Sequence, residues 1–165
     1  MNIRSEIPSD DAAISSVIIA AFLEAEHTGG NEAKIVEALR QSRSLTVSLV
    51  ATEDDRIVGH VAFSPVTLDG RSEGWFGLGP VAVVPDRQRE GIGSALIEAG
   101  LGQLRARGST GCVVLGDPGY YRRFGFRADP SLQLAGVPAS YFLRLLFNEE
   151  SCGGLVKYHP VFEIG

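Results

Sequence analysis

The feature that most constrains this chain is a run from Val81 to Leu96 that has the pattern of a buried strand, a tight turn and a helix. The apolar residues Val81 to Val84 stop at Pro85-Asp86, and Gly91 and Gly93 then open a stretch in which apolar residues recur at helical spacing. The first N–H groups of such a helix lack partners within it and point outward at the positive end of the helix dipole. The run therefore predicts an anion site, typical of phosphate binding.

Two better-known phosphate-binding loops do not fit this run. A P-loop needs Gly-Lys-Ser/Thr, and the chain has no such tripeptide. A dinucleotide-binding fingerprint needs Gly-x-Gly-x-x-Gly/Ala at the start of a helix, but the segment from Gly91 has Leu96 in the last place, and the matching segment Gly77 to Ala82 runs into a strand. The exposed helix dipole contributes only about 0.3–1 kcal/mol, so we expect the amides and the charges of Arg87 and Arg89 to supply most of the binding. A plain packed turn at the two glycines is the alternative.

The spacing of apolar residues along the rest of the chain places this unit in a mixed fold. In the first half it predicts a strand at Ile3–Ile7, helices over Ala13–Phe22 and Ile35–Gln41, and a meander of strands over Leu45–Ala51, Arg56–Val66 and Trp75–Val84, with turns at Asp54-Asp55 and Leu68–Arg71. After the helix that ends at Gly108, it predicts a strand at Cys112–Leu115, a short helix carrying Tyr120–Arg123, and strands near Tyr141–Leu146 and Val156–Phe162. The strands cluster before helices cross between them, so the fold class is α+β rather than doubly wound.

Composition excludes several classes of function. The chain has 165 residues, which fits one domain over 1–165, and its formal net charge of -5 argues against a nucleic-acid partner. The N-terminal residues lack the apolar core of a signal peptide, and no apolar run approaches the ~20 residues needed to cross a membrane. Cys112 and Cys152 belong to no metal-binding or redox motif. We therefore expect a cytoplasmic protein with no bound metal and no membrane partner.

Two segments resemble the GNAT superfamily of N-acetyltransferases. Gln88-x-x-Gly91-x-Gly93 is similar to the Gln/Arg-x-x-Gly-x-Gly/Ala motif of that family, and the stretch from Gly116 to Phe126 resembles the second coenzyme-side helix of its YhbS-like branch. Element order and length fit over nearly the whole chain. The resemblance implies the GNAT fold, with a mixed, mostly antiparallel and splayed sheet of about six or seven strands and helices on both faces.

The resemblance also implies acetyl-CoA as co-substrate and a primary amine as acceptor. In the family the loop amides bind the coenzyme A diphosphate, and the strand before the loop pairs through its backbone with the pantetheine arm. Carried onto this sequence, the binding residues are Val81, Ala82, Val83, Gln88, Arg89, Glu90, Gly91, Ile92, Gly93, Ser94 and Tyr121.

Pro80 provides an independent check on this resemblance. A proline inside a central strand removes a ladder donor, which is tolerable where neighbouring strands separate. GNAT folds have such a splay beside a bulge, and Leu78-Gly79-Pro80 resembles that bulge. The alternative is that this strand lies at the edge of the sheet.

Acetyl transfer to an amine needs loss of the amine proton, a donor for the oxyanion and a proton for the leaving thiolate. Tyr121 resembles the family's tyrosine near the coenzyme sulfur, because it lies four residues before Gly125, and its phenol is protonated at neutral pH. Tyr120 is the competing assignment. The resemblance gives the backbone N–H of Val81 as the oxyanion donor. Arg122 and Arg123 suit phosphate contacts or a solvated helix face equally well.

The general base and the acceptor stay open at this point. The candidates for the base are Glu26, His27, Glu32, Glu73 and His60, or a chain of waters. The alternative function is a non-catalytic acetyl-CoA-binding sensor, which would bind the coenzyme without releasing its thiol. The stretch after Pro130 is expected to wall the acceptor site, and a homodimer is left open.

Overall fold

The computed structural model describes residues 1–23, 30–148 and 153–163. The α-helices within the described residues are α1 (Asp11–Phe22), α2 (Glu32–Gln41), α3 (Ile92–Ala106) and α4 (Pro118–Tyr121). The strands are β1 (Asn2–Ser5), β2 (Val47–Glu53), β3 (Arg56–Pro65), β4 (Thr67–Leu68), β5 (Trp75–Val83), β6 (Gly111–Leu115), β7 (Arg127–Ala128), β8 (Leu132–Gln133), β9 (Phe142–Leu146) and β10 (Gly154–Lys157).

Within the described residues, seven strands form the central sheet, in the order β1-β2-β3-β5-β6-β9-β7. The pairs are antiparallel except for β5 with β6, which are parallel because α3 crosses over between them. The β2–β3 hairpin turns at Asp54 and Asp55, which both have positive φ, as a two-residue type I′ connection requires. The mixed, mostly antiparallel sheet and the hairpin agree with the sequence-based predictions.

Helices cover the two faces of this sheet. The Cβ position of Gly59 lies 3.0 Å from both Ile92 and Leu96, and the ring of Phe63 packs on Gly100, so odd-numbered residues of β3 face α3. Even-numbered residues of β3 therefore face away from α3. This second face is the one covered by α1 and α2, and the main apolar core includes residues from both layers.

A splay divides the sheet between β5 and β6. Trp75, Phe76 and Gly77 pair with Gly111, Cys112 and Val113 in the described structure, and beyond that point β6 pairs with β9 while β5 continues along β3 alone. Gly77 is therefore the vertex from which a cleft opens along the outer edge of Leu78–Val83. Since β5 lies between β3 and β6, the interpretation of it as an edge strand is wrong.

A bulge in β5 lies at the vertex. Val61 pairs with Val81 and Phe63 pairs with Leu78, so β5 uses three residues where β3 uses two. The extra residue falls at Gly79-Pro80, where Gly79 has φ +139°, a conformation that favours glycine. The bulge predicted at Leu78-Gly79-Pro80 is thus present.

The sequence-based prediction for the C-terminal part was partly wrong. The strand expected at Val156–Phe162 is β10, which ends at Lys157, and a 3-10 helix follows over Pro160–Glu163. Pro160 has no N–H to donate to a ladder, and the residue before a proline is restricted as well, so the strand stops. The two-residue strands β4, β7 and β8 were not predicted. β10 joins β4 and β8 in a second, three-stranded sheet over a smaller apolar cluster around Trp75 and Phe142.

Candidate active site

The loop between β5 and α3 has the geometry of an anion site. Gly91 is exposed, has φ +85° and caps the N-terminus of α3, and its carbonyl accepts the first helical hydrogen bond, 3.0 Å from the Ala95 nitrogen. The N–H groups of Ile92, Gly93 and Ser94 are therefore those that an α-helix leaves without internal partners. Arg89 also has positive φ, at +66°, which turns the chain sharply before the helix. Gly91 thus lies at an open surface rather than in a packed turn.

Gly93 keeps a space open beside this loop. A Cβ placed on it would lie 3.8 Å from methyl groups of Val81 and Val83 and 4.0 Å from the hydroxyl of Tyr120. These are ordinary contact distances, so the fold itself does not require glycine here. A larger side chain would fill the gap between β5, α3 and α4, which is the mouth of the splay.

The backbone of β5 presents free groups to the cleft. The Val84 N–H donates to Val58 O at 2.9 Å, and because bonded pairs alternate in an antiparallel ladder, the backbone of Ala82 is directed to β3. The N–H and C=O groups of Val81 and Val83 are therefore directed to the opposite edge, into the splay. The Val83 carbonyl accepts from the Gln88 side-chain amide at 3.0 Å, which fixes the start of the loop. Ala82 is the member of the predicted set whose backbone does not face the cleft.

Arg87 does not contribute a free charge to the loop, contrary to the sequence-based expectation. Its guanidinium bonds Glu53 at 2.8 Å and Glu90 at 3.2 Å. These two hydrogen-bonded carboxylates raise the pKa of Arg87. Glu90 likewise directs its carboxylate at Arg87, so only its backbone remains for a ligand. Arg89 is exposed and is the remaining cation of the predicted loop.

Tyr120 and Tyr121 pack edge to face, with ring centres 5.0 Å apart. The Tyr120 hydroxyl lies 2.9 Å from Ser94 Oγ, at the start of α3, and the Arg123 guanidinium lies 4.2 Å from the centre of its ring. Arg122 is exposed. Tyr120 therefore links α4 to the anion end of the site, and Arg123 is held against that aromatic ring.

Tyr121 lies on the inner side of α4. Its ring packs on Phe126 at 5.9 Å between centres and directly against Gly116, where a Cβ would collide with it. Burial, with smaller contributions from Tyr120 and Cys112, raises the pKa of Tyr121 to about 12. Gly116 directly follows β6, so the Tyr121 ring packs beside the C-terminal end of that strand, on the β6 side of the splay. Its hydroxyl is protonated at neutral pH and can donate.

Comparison with known proteins identifies the family. The model of the acetyltransferase (GNAT) domain matches residues 44–128. The N-acetyltransferase YhbS of Escherichia coli strain K12 is 36% identical over 169 residues, which cover 98% of each chain. This chain belongs to the GNAT acetyltransferase family.

Two solved structures support the same assignment for the acetyltransferase. A GNAT family acetyltransferase from Brucella melitensis, crystallised with acetyl-CoA, is 50% identical with a TM-score of 0.89, and the match covers 98% of this chain and 97% of that one. YhbS from Escherichia coli, crystallised with CoA, is 35% identical with a TM-score of 0.91 and is matched over 99% of this chain and 93% of its own. The predicted fold, family and acyltransferase class are confirmed.

The candidates for the general base of the acetyltransferase are scattered. Glu26 and His27 lie outside the described residues. Glu32 is half-buried in the first turn of α2, and Glu73 is exposed in the loop before β5. The described part of the chain does not bring these carboxylates together with Tyr121.

His60 is fully buried on the face of β3 that is turned away from α3, and it is held in a polar chain. Its Nε2 lies 2.8 Å from Ser48 Oγ, Ser48 Oγ also bonds Glu6, and the Arg40 guanidinium binds Glu6 at 2.8 Å and Asp11 at 2.7 Å. Desolvation lowers the pKa of His60 to about 4, so the ring is neutral at pH 7. Ser48 donates to the Glu6 carboxylate, so it accepts from His60 Nε2–H and leaves Nδ1 with a lone pair.

The sequence analysis did not predict the chain of polar side chains that runs from His60 to Arg40, nor the position of Tyr158 at the vertex. Tyr158 follows β10, yet its ring lies over Gly77, 3.2 Å from the Cβ position of that glycine. No local pattern could have found it, because the pairing joins segments far apart in the chain. Among the described residues there is no helix long and apolar enough to cross a bilayer and no cluster of three or more potential metal ligands of the His, Cys, Asp or Glu type.

Proposed function

We propose that this acetyltransferase moves the acetyl group of acetyl-CoA to a primary amine by direct attack in a ternary complex. The observation that carries the proposal is the cleft between β5 and β6, which leads from the vertex at Gly77 to the open N-terminus of α3. A long ligand with an anion at one end and a reactive group at the other suits such a cleft. The residues present fit it, since Gly93 keeps the cleft mouth clear.

The diphosphate end is assigned to the start of α3. The N–H groups of Ile92, Gly93 and Ser94 donate to phosphate oxygens, and the exposed Arg89 adds charge. Gln88 orders the turn through Val83 rather than by contact with the ligand. Because Arg87 is neutralised by two carboxylates, the backbone donors supply a larger share of the binding than the sequence suggested.

The pantetheine arm is assigned to the free edge of β5. Val81 presents its N–H and C=O there and Val83 its N–H, and these groups can extend the sheet by pairing with the amides of the arm. Ala82 supports this edge from the β3 side. The arm then leads the acetyl group towards the vertex, where the two strands still pair.

The chemistry follows from groups near the vertex. Bound acetyl-CoA supplies an acetyl group activated as a thioester. The Val81 N–H donates a hydrogen bond to its carbonyl oxygen, where negative charge develops as the amine nitrogen bonds to the carbonyl carbon. Tyr121 donates its hydroxyl proton to the sulfur as the C–S bond breaks, and it regains a proton from solvent. The amine loses its proton to a base of the protein or to water.

A parallel titration tests the coenzyme assignment. Calorimetry of the full chain with acetyl-CoA and, separately, with NAD should show saturable heat with acetyl-CoA alone. Heat with NAD and none with acetyl-CoA would contradict the proposal.

A thiol-release screen tests the transfer. Acetyl-CoA is offered with spermidine, kanamycin, free lysine and a short peptide with a free N-terminus, and we expect free thiol and an acetylated product by mass spectrometry with at least one amine. Binding of acetyl-CoA without thiol release for any amine would favour the sensor function instead. The cytoplasmic location, the single domain over 1–165 and a homodimer stay predictions.

A further inference from the structure

Three buried side-chain polar atoms have no hydrogen-bond partner among the described residues: His60 Nδ1, Ser64 Oγ and Tyr158 Oη. A buried polar group without a partner costs about 1–3 kcal/mol, so such groups are rare unless they serve a ligand. His60 and Ser64 are 0% and 1% exposed. None of the three has a role in the coenzyme site described above.

All three lie on one face of the sheet. His60 and Ser64 are even-numbered residues of β3, so they are on the face turned away from α3. Ser64 pairs with Gly77, and paired residues of an antiparallel ladder point to the same face with Cβ positions roughly 4.5–5.5 Å apart. The Tyr158 ring lies over that Gly77 Cβ position, with Cζ at 3.3 Å.

Tyr158 and Ser64 therefore meet at the vertex of the splay. The Tyr158 ring lies edge to face with Phe162, 5.2 Å away between centres, and packs against the smaller apolar cluster that includes Val66 and Trp75. Burial raises the pKa of Tyr158, with smaller contributions from Cys112 and Tyr121. Tyr121 comes from α4 and Tyr158 from the segment after β10, so the two phenols approach the vertex from different parts of the chain.

We propose that Tyr158 and Ser64 form the subsite that binds the acceptor amine, on the face of the sheet opposite α3. The inference rests on the proposed function. An amine brings N–H donors and, once deprotonated, one lone pair, and two hydroxyl oxygens can accept from the donors while leaving the lone pair directed at the cleft. The coenzyme is assigned to the β5 edge and the N-terminus of α3, so an amine that enters from the opposite face at Gly77 approaches the acetyl group from the vertex of the cleft.

His60 extends the same face further along β3. Its Nδ1 is an acceptor, because Nε2–H is committed to Ser48 and Glu6. His60 lies four positions before Ser64, about 13 Å along the strand, so it is separate from this subsite.

The test uses Tyr158→Phe and Ser64→Ala in the full chain, with Tyr141→Phe as the control, because Tyr141 is an exposed tyrosine (48%) in the same part of the sequence. The probe amine is methylamine, the smallest primary alkylamine, with thiol release followed at varied methylamine and acetyl-CoA. In both test variants we expect kcat/KM for methylamine to fall ~10–100-fold, mainly through its KM. The Kd of acetyl-CoA should stay within about twofold, and Tyr141→Phe should match the wild type.

Thermal melting separates this role from a structural one. Each test variant removes a polar atom that has no partner in the fold, so Tm should be unchanged or raised by up to ~4 °C. A lower Tm in both variants would show that these hydroxyls hold the fold together and would overturn the inference. The inference would also be overturned if the wild type acetylated methylamine no faster than Tyr158→Phe does. If the wild type fails to bind acetyl-CoA, the proposed function fails first, whereas normal binding with no difference between variants refutes the acceptor subsite alone.

Discussion

The two faces of the central sheet carry different kinds of chemical group. On the face covered by α3, residues such as Gly59, Val61 and Phe63 are apolar or lack a side chain, and the groups that we propose bind the coenzyme are backbone amides at Gly91–Ser94 and along β5. On the opposite face the side chains of His60, Ser64 and Tyr158 carry buried polar atoms that have no hydrogen-bond partner among the described residues. A site made of backbone recognises a constant molecule, whereas a site made of side chains can change its specificity by substitution.

The strongest test of this contrast concerns the point where the two faces meet. Tyr121→Phe removes the proposed proton donor to the leaving sulfur, so kcat should fall ~10²-fold or more while the Kd of acetyl-CoA changes little. Steady-state kinetics with the best amine of the screen, together with calorimetry, measures both. Gly116→Ala should act in the same direction, because its Cβ would displace the Tyr121 ring. Wild-type turnover in Tyr121→Phe would remove the role.

The polar face should make stability depend on pH. The pKa of His60 is about 4 in the folded chain and near 6.5 when unfolded, so the unfolded chain binds more protons between these values. Stability is therefore complete above pH 6.5 and is lost as the pH falls towards 4, by about 3 kcal/mol in all. Urea unfolding at pH 7, 6, 5 and 4.5 measures the slope.

Control variants assign that slope to His60. His60→Gln should flatten it between pH 6.5 and 4.5, above the range in which Glu6, with its lowered pKa, takes up a proton. Tyr141→Phe, the exposed control variant, should keep the slope. An unaltered slope in His60→Gln would assign the acid sensitivity to another group.

The backbone-built face should respond to bulk rather than to charge. Gly93→Val places methyl groups in the gap between Val81, Val83 and Tyr120, so we expect the Kd of acetyl-CoA to rise ~30-fold, about 2 kcal/mol, with little loss of stability. Calorimetry and thermal melting measure the two effects. Equal affinity in this variant would mean that the cleft mouth is not the coenzyme route.

We expect the smallest effect on stability and binding for a substitution of Gly102, the glycine of α3 that serves as the matched control for Gly93. Gly102 has nothing within 4 Å of its Cβ position, so Gly102→Ala should stabilise the fold by about 0.5–1 kcal/mol through helix propensity and leave acetyl-CoA binding unchanged. Urea unfolding detects the gain. A binding defect in Gly102→Ala would show that α3 responds to any substitution and would weaken the interpretation of Gly93→Val.

The backbone-built face could be predicted from the sequence because its signals are contiguous. The strand, the two glycines and the helix follow one another between Val81 and Leu96, and Pro80 marks the bulge within the same strand. These local features fix the chain direction and the position of the exposed amides. The cleft was therefore predicted together with the fold.

The polar face could not be predicted in the same way. The loop before α3 shows the same difficulty: Arg87 was expected to be free, because its closer partner Glu53 lies in β2, 34 residues earlier. Tyr158 reaches Gly77 because it follows β10. The partners of β10 are β4 and β8, two-residue strands that are too short to show an alternation of apolar and polar residues. Tertiary packing brings these side chains together from distant parts of the sequence. Their contacts therefore cannot be predicted from the spacing of residues along the chain.

The bulge at Gly79-Pro80 changes which residues of β5 lie on which face of the sheet. Gly77 and Ala82 share a face although one is odd-numbered and the other even-numbered, because the inserted residue reverses the alternation between them. Deleting a single residue at this position would rotate one half of the strand by half a turn. Either the amides of Val81 and Val83 or Gly77, over which the Tyr158 ring lies, would then be misdirected, so one inserted residue sets the relative orientation of the two halves of β5.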